Sequence, residues 1–185
     1  MRSIALVELM VCWFAWSYPY IVRAPHWQKR PSVARPWPTL VGLAFQGMAI
    51  FLAFAFRLPP ASPPETGRLV ASMLVAPLAP ILAWGAVLHL GKQFRWQAGL
   101  YEDHELVATG PYAVVRHPIY ASVLAILLGT LLILTPWRWI ALSLALFTVG
   151  TEIRIHAEEK LLEARFGETF LEYRRKVPAY LPFVR

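Results

Sequence analysis

Three short stretches hold most of the side chains that could do chemistry. The first, Gln97 to Val107, is polar and contains His104 and Glu105. The second is Gly110-Pro111-Tyr112-Ala113-Val114-Val115-Arg116-His117-Pro118-Ile119-Tyr120, and the third is Arg154-Ile155-His156-Ala157-Glu158-Glu159. In the second, Gly110-Pro111 makes a turn and Pro118 stands where a helix can start. Arg116 and His117 then lie at a helix N-terminus, whose free backbone donors and positive dipole end could hold a ligand carboxylate or polar edge. The competing reading, the better one for an isolated Arg-His pair at a membrane edge, is that Arg116 reaches lipid headgroups and His117 caps the helix. In the third stretch Arg154 and Glu158 share one helical face and can pair. Ionisable groups at the inner end of a span are costly and usually functional; an ordinary ion pair at the interface is an equal reading. Glu159 points elsewhere on the helix and is read as structural support.

Other chemistries lack the residues they need. Cys12 is the one cysteine and lies in an apolar run, so it makes no internal disulfide and reads as a packed or lipid-facing side chain. His26, His89 and His156 show no metal-ligand spacing, and no metal site is expected. There is no phosphate-binding glycine loop and no G-x-S-x-G elbow. The eight Trp, seven Tyr and ten Phe read as interface belts and packing, with Tyr112 and Tyr120 as the exceptions.

These clusters must be positioned by elements that belong in a bilayer. Only 16% of the 185 residues are charged, where a soluble domain carries about 25%. The deficit is concentrated in long apolar stretches. A helix crosses a bilayer with about 20 apolar residues and must satisfy its own backbone there. Five segments qualify: Ile4–Val22, Thr39–Phe56, Leu69–Leu90, Pro118–Thr135 and Trp137–Ile155. The first could be taken for a signal peptide, but its bulky Trp13, Trp16 and Tyr18 and the lack of an A-x-A-like exit read as a transmembrane helix. Pro77 and Pro80 predict a kink in the third. The fourth and fifth, joined only at Pro136, are expected to form an antiparallel hairpin. Segments 23–37 and 58–68 are proline-rich loops (Pro25, Pro31, Pro36; Pro59, Pro60, Pro63, Pro64). Beyond the last span, 158–163 reads as a helix leaving the membrane. Phe166-Gly167 ends it as a C-cap, and an amphipathic piece, 169–176, follows with Arg174, Arg175 and Lys176 near headgroups.

The net charge of +7 is distributed by side. Segments 23–37, 91–117 and 152–185 carry 14 of the 18 Lys and Arg; Arg2, Arg57, Arg68 and Arg138 lie on the opposite side. Positive residues stay cytosolic. The N-terminus is therefore expected outside, and the C-terminus and all three clusters inside, in an inner-membrane or ER-type membrane. The fold expected is all-α: an integral membrane protein with about five transmembrane helices and a cytosolic C-terminal helical segment. It divides into three N-terminal transmembrane helices (1–90) and a functional half (91–185).

The stretch His104-Glu105-Leu106-Val107-x-x-Gly110-x-Tyr112, followed by Arg116-His117-Pro118-x-Tyr120, resembles the isoprenylcysteine carboxyl methyltransferase family. So do Arg154-x-x-x-Glu158-Glu159-x-x-Leu162 and the ending from Phe166-Gly167-Glu168 through Tyr173 and Val177-Pro178 to Leu181-Pro182-Phe183. The likeness covers roughly residues 90–185. It implies a cytosol-facing pocket for S-adenosyl-L-methionine, built by the last spans and the C-terminal segment. Carried over position by position, Gln97, His104, Glu105, Leu106, Val107, Tyr112, His117, Pro118, Ile119, Tyr120 and Glu158 would contact that cofactor. Arg154 would bind the substrate carboxylate, with Arg154 and Glu158 as the catalytic pair. Departures are Pro111 after Gly110, Ala121 in place of a common glycine, and fewer spans than eukaryotic members have.

The activity so implied is methyl transfer to the carboxylate of a lipophilic, prenylcysteine-like substrate. A carboxylate nucleophile needs no general base; it needs a cation to orient it, and a planar guanidinium does so. Partners would be that substrate and membrane lipids, not nucleic acid. Three other readings are distinguishable: methylation of a phospholipid or small-lipid amine, an NADPH-dependent membrane reductase, and a non-enzymatic membrane scaffold.

Overall fold

The computed structural model describes residues 1–22, 37–59, 61–94 and 104–181. Among these the chain is helical, with no strand. Helix α1 spans Arg2–Val22 and α2 spans Trp37–Ala55. The third expected span is two helices, α3 (Thr66–Val75) and α4 (Leu78–Leu90). The break falls at Ala76-Pro77, because Pro77 has no N–H to give and its ring crowds the preceding turn. A short 3-10 turn, Gly91–Gln93, ends α4, and another, Gly110–Ala113, precedes α5 (Pro118–Leu134). Helix α6 runs Trp137–Phe166 and α7 Glu168–Lys176.

Four helical stretches are long and apolar enough to cross a membrane: Arg2–Val22, Trp37–Ala55, Thr66–Gln93 and Trp137–Phe166. Helix α5 is apolar and 17 residues long, the lower end of what spans a hydrocarbon core. Ile4, Val7, Met10 and Phe14 on α1, and Leu40, Met48 and Phe51 on α2, are exposed. Large apolar surface of this kind suits lipid, not water. The five spans expected from hydropathy are thus present in an all-α integral membrane protein.

The packing order differs from the chain order. Helices α5 and α6 follow one another directly, yet they touch little. The main neighbour of α6 is α2, while α5 lies against α3 and α4, and α1 against α4. The expected hairpin is therefore not the organising contact. The reason lies in a glycine pair. A Cβ on Gly42 would sit 2.5 Å from the Gly150 carbonyl oxygen, and one on Gly150 would sit 2.5 Å from the Gly42 oxygen. Small residues let membrane helices approach to backbone contact. Helix α1 is tied to α5 instead by two indole donors, Trp13 to Thr130 Oγ1 and Trp16 to Ser122 Oγ, each at 3.0 Å.

Two chain ends of helices are closed by specific groups. Buried Arg68 donates to the carbonyls of Leu131 (3.1 Å) and Thr135 (2.5 Å), and its guanidinium carbon lies 4.7 Å from the centroid of the Trp137 ring. It satisfies the last carbonyls of α5 with a favourable charge. Gly167, at φ +53°, ends α6 with its N–H on the Glu163 carbonyl at 2.9 Å, as expected from the sequence. The stretch 158–163, expected as a helix leaving the membrane, is the continuation of α6. At 30 residues that helix is about 45 Å long, more than the roughly 30 Å hydrocarbon core. One end therefore projects from the bilayer, and the stretch bearing Arg154, Glu158 and Glu159 lies toward its C-terminal end.

Candidate active site

A single cavity of about 410 Å³ gathers the chemistry, a size within the range of small-molecule sites. His104, Glu105, Leu106, Val107, Tyr112, His117, Ile119, Tyr120, Arg154 and Glu158 all line it. Pro118 does not; it is buried as the first residue of α5, where its missing N–H costs nothing. Gln97 and the rest of segment 95–103 lie outside the described residues, as do 23–36 and 182–185.

The electrostatic centre is built from α6 and the turn before α5. Glu158 accepts a short hydrogen bond from the Tyr120 hydroxyl, and its other oxygen lies 3.5 Å from Nδ1 of His117. The opposite ring nitrogen, Nε2, lies 3.3 Å from Oε1 of Glu159. His117 is buried between the two carboxylates. Burial pushes its pKa down, but the hydrogen bonds to Glu158 and Glu159 outweigh it and the pKa is raised. His117 does stand at the N-cap position of α5, but its side chain makes no capping bond.

Arg116 borders the same cavity but is tied into the protein. It is buried, and Nε and Nη2 both donate to Oε1 of Glu159, at 2.9 and 2.7 Å. Nη1 donates to the carbonyls of Arg174 (3.1 Å) and Val177. The backbone N–H groups of Arg116 and His117 donate to Pro178 and Ala179 oxygens, each at 2.8 Å. The C-terminal segment is thereby sewn to the front of α5. Tyr173 adds a hydroxyl bond to the Tyr112 carbonyl at 2.5 Å. Burial pushes the Tyr173 phenol up to about 12 and Tyr112 well above its ordinary value, so both phenols stay neutral.

Arg154 sits on the cavity wall, with its Nη1 donating to Gln46 Oε1 at 3.0 Å and its guanidinium carbon 5.0 Å from the centroid of the Tyr120 ring. Tyr120 thus touches both members of the expected pair: ring to Arg154, hydroxyl to Glu158. Glu105 also lines the cavity, is mostly exposed and lies 3.5 Å from Lys92.

Two helices that no motif marked, α1 and α2, also contribute, together with α7 of the C-terminal motif. Trp16 and Tyr20 of α1, Leu43, Gln46, Gly47 and Ile50 of α2, and Phe170 and Tyr173 of α7 complete the lining. The walls are largely aromatic and aliphatic, with polar groups on α6, the α5 turn and segment 104–105, and Gln46 on α2. The one available signal was Gln46, a polar side chain in the middle of an apolar span.

The arrangement suits a ligand with both polar edges and an apolar part. Among the described residues no group of three or more His, Cys, Asp or Glu could hold a metal ion. The carboxylate of Glu158 and the neighbouring hydroxyls match amine and hydroxyl groups, and Arg154 matches a carboxylate.

Comparison with known proteins gives an independent reading. The model of the isoprenylcysteine carboxyl methyltransferase (ICMT) family matches residues 71–164. Protein-S-isoprenylcysteine O-methyltransferase B of Arabidopsis thaliana is 34% identical over 110 residues, 58% of this chain and 55% of that protein. The Xenopus laevis protein-S-isoprenylcysteine O-methyltransferase is 34% identical over 119 residues, 63% of this chain and 41% of that one. The Schizosaccharomyces pombe protein of that name is 38% identical over 84 residues, 45% and 35% of the two chains. This chain spans about half the length, or less, of these relatives. The matched segment runs from α3 into α6, so α1, α2 and α7 lie outside it.

Proposed function

The chain belongs to the isoprenylcysteine carboxyl methyltransferase family, and on that premise we propose that it transfers a methyl group from S-adenosyl-L-methionine to the carboxylate of a lipophilic, prenylcysteine-like substrate. One observation carries the reading: segments 104–107, 117–120 and 154–158, distant in sequence, line one cavity with Arg154 on its wall. The bound cofactor supplies a methyl group on a sulfonium, a leaving group that needs no protonation.

The chain's own residues then have two tasks, to position and to keep water out. Arg154 orients the carboxylate nucleophile through a planar fork. His104, Glu105, Leu106, Val107, Tyr112, His117, Ile119, Tyr120 and Glu158 hold the cofactor, with Gln97 and Pro118 assigned there by motif. Glu158 offers its carboxylate to the cofactor while Tyr120 and His117 fix its rotamer. Orientation of two reactants in this manner removes about 7–11 kcal/mol of barrier. Aromatic side chains of α1 and α7 and aliphatic ones of α2 exclude water and accept the apolar tail. The half from 91 onward supplies the cofactor groups, and the first helices shape the side from which lipid enters.

The asymmetry of Lys and Arg supports a cytosolic site, an outward N-terminus and an inward C-terminus. The cofactor then arrives from water and the substrate from the bilayer. The family is one of carboxyl methyltransferases, and neither amine methylation nor NADPH reduction draws support from it. The test is incubation of the purified protein with methyl-labelled S-adenosylmethionine and a panel of prenylcysteine analogues, lipid acids and lipid amines. Base-labile ester label on the acids is expected. Label on amines alone, or none in any compound, would refute the proposal.

A further inference from the structure

We infer that Gln46 of α2 is a positioning residue that sets the guanidinium of Arg154 for a carboxylate without cancelling its charge. This rests on the proposed role of Arg154. The two faces of the Gln46 amide are both engaged. Its Oε1 accepts from Arg154 Nη1 at 3.0 Å, and its Nε2 donates to Thr151 Oγ1 at 2.8 Å. Gln46 is 5% exposed and Thr151 fully buried, so the amide has a fixed orientation and its oxygen must face the arginine. One turn along α2, a Cβ on Gly42 would lie 2.5 Å from Arg154 Cγ. The arginine stem therefore passes through the gap left by that glycine. The head is held beyond it, by Gln46 on one side and by the Tyr120 ring on the other.

The chemistry of the holder decides its meaning. The other arginine on this cavity, Arg116, is bound by the carboxylate of Glu159 and two backbone carbonyls. That is how a structural guanidinium is neutralised in a buried place. Gln46 is a neutral acceptor, so its contact restricts the Arg154 rotamers and contributes no countercharge. Glu158 already acts on Arg154 electrostatically, so Gln46 fixes the direction of the fork without adding to that countercharge, and a substrate carboxylate meets a preorganised donor. A carboxylate at position 46 would hold the arginine more firmly and compete with the substrate. The geometry assigns this task to a helix outside the family-matched segment 71–164.

The test uses the full-length protein in detergent or nanodiscs with a prenylcysteine analogue as methyl acceptor. Gln46→Leu, Gln46→Glu and Arg154→Ala are assayed together, and S-adenosylhomocysteine binding is measured on each. For Gln46→Leu, kcat/KM falls by about 10- to 100-fold with cofactor-analogue affinity unchanged. For Gln46→Glu, the loss appears mainly as a raised KM for the acid. Wild-type kinetics in Gln46→Leu beside an inactive Arg154→Ala would overturn the inference and leave the role of Arg154 standing. An active Arg154→Ala would remove the reading on which it rests. Parallel loss of analogue binding and turnover in both Gln46 variants would assign Gln46 to the fold and also overturn it.

Discussion

Arg116 and Glu159 form a buried pair, 2.7 Å apart at closest, whose guanidinium also holds the carbonyls of Arg174 and Val177. Forty-three residues separate the two partners. The pair joins α6, the front of α5 and the end of α7 in one knot at the edge of the cavity. Such a pair is weak evidence of net stabilisation, but breaking it strands a buried charge.

Glu159→Gln is therefore expected to cost roughly 3–5 kcal/mol of stability, read as a fall in the thermal midpoint in detergent. By contrast, Arg175→Ala removes only the exposed pair with Glu168 at 2.6 Å. Its effect should stay within about 1 kcal/mol. Equal midpoints for Glu159→Gln and wild type would show that the knot does not hold the C-terminal segment.

Arg154→Ala should abolish methyl transfer while S-adenosylhomocysteine still binds within a few-fold of wild type. Isothermal calorimetry beside a turnover assay checks both halves. Arg154→Lys should recover little, because an ammonium lacks the planar fork that aligns a carboxylate. Lost analogue affinity in Arg154→Ala would move the arginine from substrate to cofactor.

His117→Ala should weaken S-adenosylhomocysteine binding by about tenfold, the worth of roughly one charge-assisted hydrogen bond. It would also leave Glu158 and Glu159 without the ring that separates them. Unchanged affinity would reduce His117 to a structural spacer.

The same histidine sets a pH dependence. Its folded-state pKa is raised above the ordinary value because the bonds to Glu158 and Glu159 outweigh burial. Its stabilisation is then complete below about pH 6.5 and is lost as pH rises through the folded value. Thermal midpoints measured from pH 6 to 9 should fall on this limb in wild type. In His117→Ala the limb should flatten, and an identical profile would count against the assignment.

Gly42→Ala should lower both stability and turnover. Its new Cβ would meet the Gly150 oxygen and Arg154 Cγ, each at 2.5 Å, and overpacking of this sort costs roughly 1–3 kcal/mol. Gly47→Ala, on the same helix with nothing within 4 Å, is the control and should keep the wild-type midpoint. Equal behaviour of the two variants would contradict the close α2–α6 seam.

Much of the fold was legible before any coordinates. Runs such as 4–22 and 137–155 are long and apolar because a bilayer permits nothing else, and that constraint acts locally. Pro77 broke the third span for an equally local reason, as did Gly167 at the end of α6. The motif residues on 104–107, 117–120 and 154–158 were also visible as a set, since their types are unusual at the edge of apolar segments. Glu159 was read as structural support, and its bond to Arg116 shows what it supports.

What the chain order could not convey was adjacency. Apolar helices resemble one another in composition, so hydropathy does not say that α6 packs on α2 in preference to α5. That choice depends on the complementary surfaces around Gly42 and Gly150, 108 residues apart, a match that only packing reveals. The same choice brings Gln46 to Arg154, while the packing of α1 on α4 and α5 brings Trp16 and Tyr20 to the cavity. The sequence alone determined which solvent each segment prefers and which side chains are of a type that could carry chemistry. The tertiary structure alone decided which of them meet, because van der Waals fit and interhelical hydrogen bonds, not hydrophobicity, select neighbours within a membrane.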